Sequence, residues 1–157
     1  MCELFAMCSR LPADVTISLK ELARHGNPSG PNPDGWGVAY YDDRDVRLMK
    51  EAGSATESAC VKFIEERHLA STLVLAHVRK ATEGAVTLSN SQPFARELAG
   101  RMHVFAHNGD VPGVFEDPRF RNGRFHPIGQ TDSEFAFCAL LARLERLWFD
   151  GKVPTKE

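Results

Sequence analysis

Apolar and polar positions trade places over short stretches of this chain, and the period changes from one stretch to the next. Residues 2–9, CELFAMCS, form an apolar, strand-like run. Residues 25–37, HGNPSGPNPDGWG, are so dense in Gly, Pro, Asn and Asp that they predict a long ordered loop or series of turns. WGVAYYDDRDVRLMK then offers two short strands folded about the polar Asp42, Asp43, Arg44 and Asp45, a hairpin. Helical spacing takes over in TESACVKFIEER, where Ala59, Cys60, Phe63 and Ile64 share a face behind Thr56 as the cap. TLVLAHVR, from Thr72 to Arg79, is a strand rich in β-branched residues, and MHVFAHNG, from Met102 to Gly109, is another that stops at a turn signal. The last element is a helix from Asp132 to Phe149, with Phe137, Leu141, Leu144 and Trp148 on one stripe and TDSE as a capping box between Thr131 and Glu134. Strands and helices interleave without repeats, which predicts an α+β fold whose sheets are largely antiparallel.

Composition narrows the setting. The formal charge of -2 gives no electrostatic reason to expect nucleic acid or an anionic membrane as a partner. No apolar run approaches the ~18 residues of a transmembrane helix, and no basic region precedes an apolar core at the N-terminus, so the expected compartment is the cytoplasm. Cys2, Cys8, Cys60 and Cys138 form no CxxC pair, which fits reduced thiols, the last three as small buried hydrophobes. His68, His77, His103, His107 and His126 sit at no zinc-type spacing with a cysteine, so a Cys/His metal domain is the weaker alternative.

The position of Cys2 is a chemical signal. Removal of Met1 would leave it carrying both a thiol and a free α-amino group, and an amine of pKa about 7.7–8.0 beside a thiol of about 8.5 is a base next to its nucleophile. Polar clusters at strand ends supply partners, because strands hold residues rigidly while the following turns expose them. Arg79 closes one strand with a planar fork suited to a carboxylate, and Thr82 can add a hydroxyl to the same pocket. Asn108 and Gly109 close another, where a side-chain amide and a backbone N–H can point at one oxygen; an ordinary Asn-Gly hairpin turn is the competing explanation. Asp132 suits the first turn of a helix whatever else it does. In DGWG, residues 34–37, glycine answers backbone demands and Trp36 serves as wall or core.

Together, Cys2, AHVRKAT, NSQPF, AHNG and TDSE resemble, in order and spacing, the motifs of the class II glutamine amidotransferases, whose fold is the N-terminal-nucleophile hydrolase αββα sandwich. MCELFAMCS, GPNPDGWGVAYY and NSQPF are most similar to the stand-alone bacterial amidotransferase-like proteins. The resemblance implies one glutamine amidotransferase domain over residues 1–157, its N-terminal portion, because such proteins continue past the TDSEFAFCALL helix into further strands and helices. It also implies a mechanism without metal or organic cofactor. Cys2 attacks the side-chain amide of glutamine, Asn108 and Gly109 hold the oxyanion, Arg79 holds the α-carboxylate, Asp132 the α-ammonium, and Thr82 assists. Lys80 and Gln92 depart from the pattern of the larger synthases and belong to the pocket rim. Glutamine, or another γ-glutamyl amide, is the expected small-molecule substrate, with a synthase partner or a homo-oligomer as the expected associations. A catalytically silent glutamine-binding module stays open beside the enzyme.

Overall fold

A computed structural model describes residues 2–82 and 84–148 of the chain. Four strands, β1 (Glu3–Asp14), β2 (Trp36–Asp42), β3 (Asp45–Glu51) and β4 (Ala70–Val78), form an antiparallel sheet in the order β1-β4-β2-β3. Strands β5 (Phe94–Leu98) and β6 (Arg101–Phe105) pair antiparallel as a second, two-stranded sheet. Helices α1 (Thr16–His25) and α2 (Ala59–Arg67) cover one face of the larger sheet, and α3 (Asp132–Leu147) covers the smaller one.

Strand alternation builds the first core. Val74, Ala76 and Val78 of β4 and Trp36, Val38 and Tyr40 of β2 point to the helices and pack with Val15, Ala23 and Ile64. The opposite face carries Gly37, Tyr41 and Lys50, and it meets the second sheet. There the Tyr41 hydroxyl donates to the Met102 carbonyl at 3.2 Å and accepts from the Val104 N–H at 3.1 Å, while Lys50 donates to the Ser91 carbonyl at 2.9 Å. Behind that sheet, Phe94 and Leu98 pack on Phe137, Cys138 and Leu141 of α3. Burying such side chains is worth roughly 1.5–3 kcal/mol each. The sequence helix layer, sheet, sheet, helix layer is that of the expected αββα sandwich, with a second sheet two strands wide among the described residues.

Several boundaries differ from the expectation. The first strand runs on to Asp14, β6 ends at Phe105 before the polar AHNG, and among the described residues no hairpin follows Asn108 and Gly109. Helix α1 has no counterpart in the predicted pattern: Ile17 is 85% exposed and spoils a clean apolar stripe, and Asp14 serves the helix start by accepting from Thr16 N–H and Oγ1. Helix α2 is capped by Ser58, whose hydroxyl accepts from Val61 N–H at 3.1 Å, because Thr56 is taken up in a 3₁₀ turn at Ala55–Glu57. At α3 the capping box is half formed. Thr131 Oγ1 accepts from Glu134 N–H, but the buried Glu134 carboxylate turns instead to Arg96 at 2.5 Å and Gly129 N–H at 2.6 Å. The helix stops at Leu147, and Phe149 lies outside the described residues. The four cysteines are free thiols, yet only Cys138 is buried; Cys60 is half-buried and Cys8 exposed, since it belongs to the sheet face away from the helices.

Candidate active site

Strand register assembles the site. Glu3 lies opposite Val78 and Leu4 opposite His77, so Cys2 continues the pairing beside Arg79 at the open end of β4. The Lys80 N–H donates to the Cys2 Sγ at 3.3 Å, and the Lys80 carbonyl lies 3.4 Å from the same sulfur. The DGWG loop secures this strand end. Arg79 N–H donates to the Gly35 carbonyl at 2.7 Å, Asp34 N–H to the Arg79 carbonyl at 3.0 Å, and Ala81 N–H to the Asp34 carboxylate at 2.8 Å. Gly35 has a φ of +145°, a backbone that glycine alone adopts freely. At Gly37 a Cβ would stand 2.4 Å from the Gln92 carbonyl oxygen, so its absence lets the Gln92-Pro93 segment lie directly on the sheet. Trp36, 4% exposed, is a core residue as expected.

Cys2, Arg79, Lys80, Thr82, Gln92, His107, Gly109, Asp110, Thr131, Asp132 and Ser133 surround one cavity of about 30 Å³, room for a water beside the thiol. Five of the six expected site residues are therefore brought together: Cys2, Gly109, Arg79, Thr82 and Asp132. Asn108 is next to them on the chain but exposed and not part of the lining, and its side chain makes no hydrogen bond among the described residues. A larger groove of about 480 Å³ lies against α1 and α2, where no cysteine or histidine faces it.

Charge in the site is ordered by burial. Arg79 is 3% exposed, and its guanidinium donates to the Ala85 carbonyl at 3.1 Å and the Gly84 carbonyl at 3.2 Å. Burial pushes its pKa down, and the neighbouring Cys2 and Asp34 pull it back up. The adjacent His77 is fully buried, and neither ring nitrogen has a partner among the described residues; burial, then the charges of Arg79 and His107, bring its pKa down to about 4. Asp132 accepts from Val111 N–H at one oxygen and from Ser133 N–H at the other, both at 2.6 Å.

Six of the lining residues were not among the expected site residues, and three of these, Gln92, His107 and Ser133, are linked to one another. His107 donates its N–H to Gln92 Oε1 at 2.6 Å and sets Nδ1 3.1 Å from Ser133 Oγ. Gln92 itself was expected only at the rim. AHNG and TDSE placed His107 and Ser133 next to expected residues, but nothing in their spacing paired them. Among the described residues, no group of three or more His, Cys, Asp or Glu side chains is arranged to hold a metal, and no helix is long and apolar enough to cross a membrane.

At one end of this αββα arrangement, Cys2 lines one cavity with the buried Arg79 and with Asp132 at the acidic start of α3. The chain belongs to the class II glutamine amidotransferases: the family described as "Glutamine amidotransferases class-II" matches residues 1–156. It is 40% identical over 92% of its length to "Putative glutamine amidotransferase YafJ" of Escherichia coli, covering 55% of that protein. A relative of the same description from Haemophilus influenzae is 36% identical, again over 92% of this chain and 48% of the relative. A crystal structure of a predicted glutamine amidotransferase from Pseudomonas aeruginosa superposes with a TM-score of 0.64 at 34% identity, covering 98% of this chain and 58% of the other. The chain thus spans about half the length of the curated relatives it matches.

Proposed function

We propose that this protein hydrolyses the side-chain amide of glutamine through a γ-glutamyl thioester on Cys2, releasing ammonia and then glutamate. With Met1 removed, the α-amino group of Cys2 takes the thiol proton, directly or through a water, and returns it to the leaving ammonia. The oxyanion rests against the Asn108 side-chain amide and the Gly109 N–H. Arg79 holds the substrate α-carboxylate, Asp132 its α-ammonium, and Thr82 lends a hydroxyl in the same pocket. Water then attacks the thioester. A synthase partner would use the ammonia, and a γ-glutamyl amide other than free glutamine would follow the same path.

The observation that carries this reading is the convergence on one small cavity of the Cys2 thiol, a buried cation at Arg79, an anion at Asp132 and the Gly109 turn. Glutamine carries a carboxylate and an ammonium on one carbon, so a selective pocket needs both charges fixed a few ångströms from the nucleophile. The test combines intact mass with turnover. The active protein should begin at Cys2, gain one adduct on treatment with a glutamine-like diazo-ketone, and release ammonia from glutamine. Cys2→Ala should reduce ammonia release to background without lowering Tm. Activity in protein that keeps Met1 would refute the amine's role, and binding of glutamine without ammonia release would make the protein a binding module.

A further inference from the structure

We propose that His107 and Ser133 are positioning residues that fix the Asn108-Gly109 turn by stringing it between the two oxygens of the Asp132 carboxylate. This rests on the hydrolase reading above and deepens it.

The turn needs external anchors. It leaves β6 after Phe105, no strand follows it among the described residues, and Gly109 has a φ of +140°, in the region where glycine has most freedom to lose. Both of its ends nevertheless lead to one side chain. Beyond the turn, Val111 N–H donates to Asp132 Oδ2 at 2.6 Å. Ahead of it, His107 Nδ1 lies 3.1 Å from Ser133 Oγ, which donates to Asp132 Oδ1 at 3.2 Å. A serine hydroxyl has a single proton. Given to the carboxylate, which is the stronger acceptor, it leaves a lone pair on Oγ to receive His107 Nδ1–H. The imidazole is thereby held in one tautomer, with Nε2 and Cε1 on the Gly109 side, each 3.5 Å from where a Cβ on Gly109 would stand. Two further contacts lock the ring: the His107 N–H bond to Gln92, and stacking on Phe105 at 6.3 Å between centroids. Ser133 is 3% exposed, so water does not compete readily for its hydroxyl.

The consequence is that the carboxylate proposed to receive the substrate's ammonium also sets the donors proposed to receive its oxyanion. Binding geometry and reaction geometry share one anchor.

The test uses Ser133→Ala, His107→Phe and the double variant in the full chain. His107→Phe keeps an aromatic ring that can stack on Phe105 and removes both ring nitrogens, at a somewhat larger ring size. In each single variant kcat for glutamine should fall by roughly tenfold to a hundredfold, as expected for a misplaced reacting geometry, while KM stays within about twofold. The double variant should be no worse than the poorer single, because both changes cut the same link. Amide hydrogen exchange at Gly109 and Val111 should quicken in all three. Unchanged kcat in the single variants of an active enzyme, or losses that simply add in the double variant, would overturn the proposal. If the parent protein releases no ammonia from glutamine, the hydrolase reading fails separately. Exchange then decides the anchor: faster exchange in Ser133→Ala upholds it, and unchanged exchange removes it.

Discussion

The two faces of β4 are made by the same nine residues and answer to different demands. On the helix side, Val74, Ala76 and Val78 meet apolar neighbours. The other side carries His77, fully buried with no partner for either nitrogen among the described residues, and leads directly to Arg79, buried and charged at the strand's open end. Gly37 on the neighbouring strand leaves no room for even a methyl group there. The first face follows the rules of a stable core. The second departs from them where the proposed chemistry sits, which is where local violations are expected to be kept. Substitutions on that side should therefore separate rate from stability, whereas those on the helix side should not.

The sharpest separation is expected at Asn108. Its side chain is exposed and hydrogen-bonded to nothing among the described residues, so Asn108→Ala has little structure to lose. If it donates to the oxyanion, kcat should fall by ~10² to 10³, with Tm nearly unchanged. Steady-state ammonia release together with calorimetry checks both halves. A normal kcat would return the residue to an ordinary turn position and leave Gly109 as the donor.

The next effect belongs to the charge pair. Removing one member of a buried charge-assisted contact costs ~2 to 5 kcal/mol, so Asp132→Asn and Arg79→Lys should each lower kcat/KM for glutamine by about thirtyfold or more. Asp132→Asn is not a clean test of ammonium binding. Both of its oxygens accept backbone N–H groups, and an asparagine amide must turn its NH2 toward one of them. A donor facing a donor costs ~1 to 3 kcal/mol, which exceeds the loss of a helix-dipole contact alone. Stability and kcat should thus fall together with affinity. Arg79→Lys keeps the charge and loses the fork, and its effect should appear mainly in KM. A wild-type KM in Arg79→Lys would exclude Arg79 as the carboxylate ligand.

Which parts were legible in the sequence follows from how local their causes are. The β2-β3 hairpin, β4 and the stripe of α3 rest on periodicity and turn residues within a dozen positions. Cys2, Arg79 and Asp132 were legible because each stands at an element's end, where its chemistry is conspicuous. Helix α1 was not, since Ile17 faces solvent and Val15, its N-cap, offers no capping side chain. Thr56 lost the α2 cap to Ser58 through a 3₁₀ turn that periodicity does not encode. His107, Ser133 and Gln92 meet across 15 and 26 residues, so their pairing exists only once both sheets and α3 have packed. Exposed Cys8 shows the same limit from the other side: strand alternation put it on a face, but not what covers that face.

The smallest effect, and the one that bears most directly on the two faces, is the pH dependence set by His77. Its pKa is about 4 in the folded protein and near 6.5 when unfolded, because burial disfavours the imidazolium and Arg79 and His107 oppose it further. Between those values only the unfolded chain holds the proton. Protonation therefore pulls toward unfolding as pH falls from 6.5 toward 4, and the penalty is absent well above 6.5. His77→Leu removes the titration along with two unpartnered nitrogens, at similar volume. Its stability relative to the parent should rise by roughly 1 to 2 kcal/mol between pH 7 and pH 5. The other five histidines and all other charged groups are common to both proteins, so the difference between two urea titrations isolates His77. Parallel pH profiles would mean that His77 finds a partner or a proton in the folded state, and that this face of β4 obeys the same rules as the other.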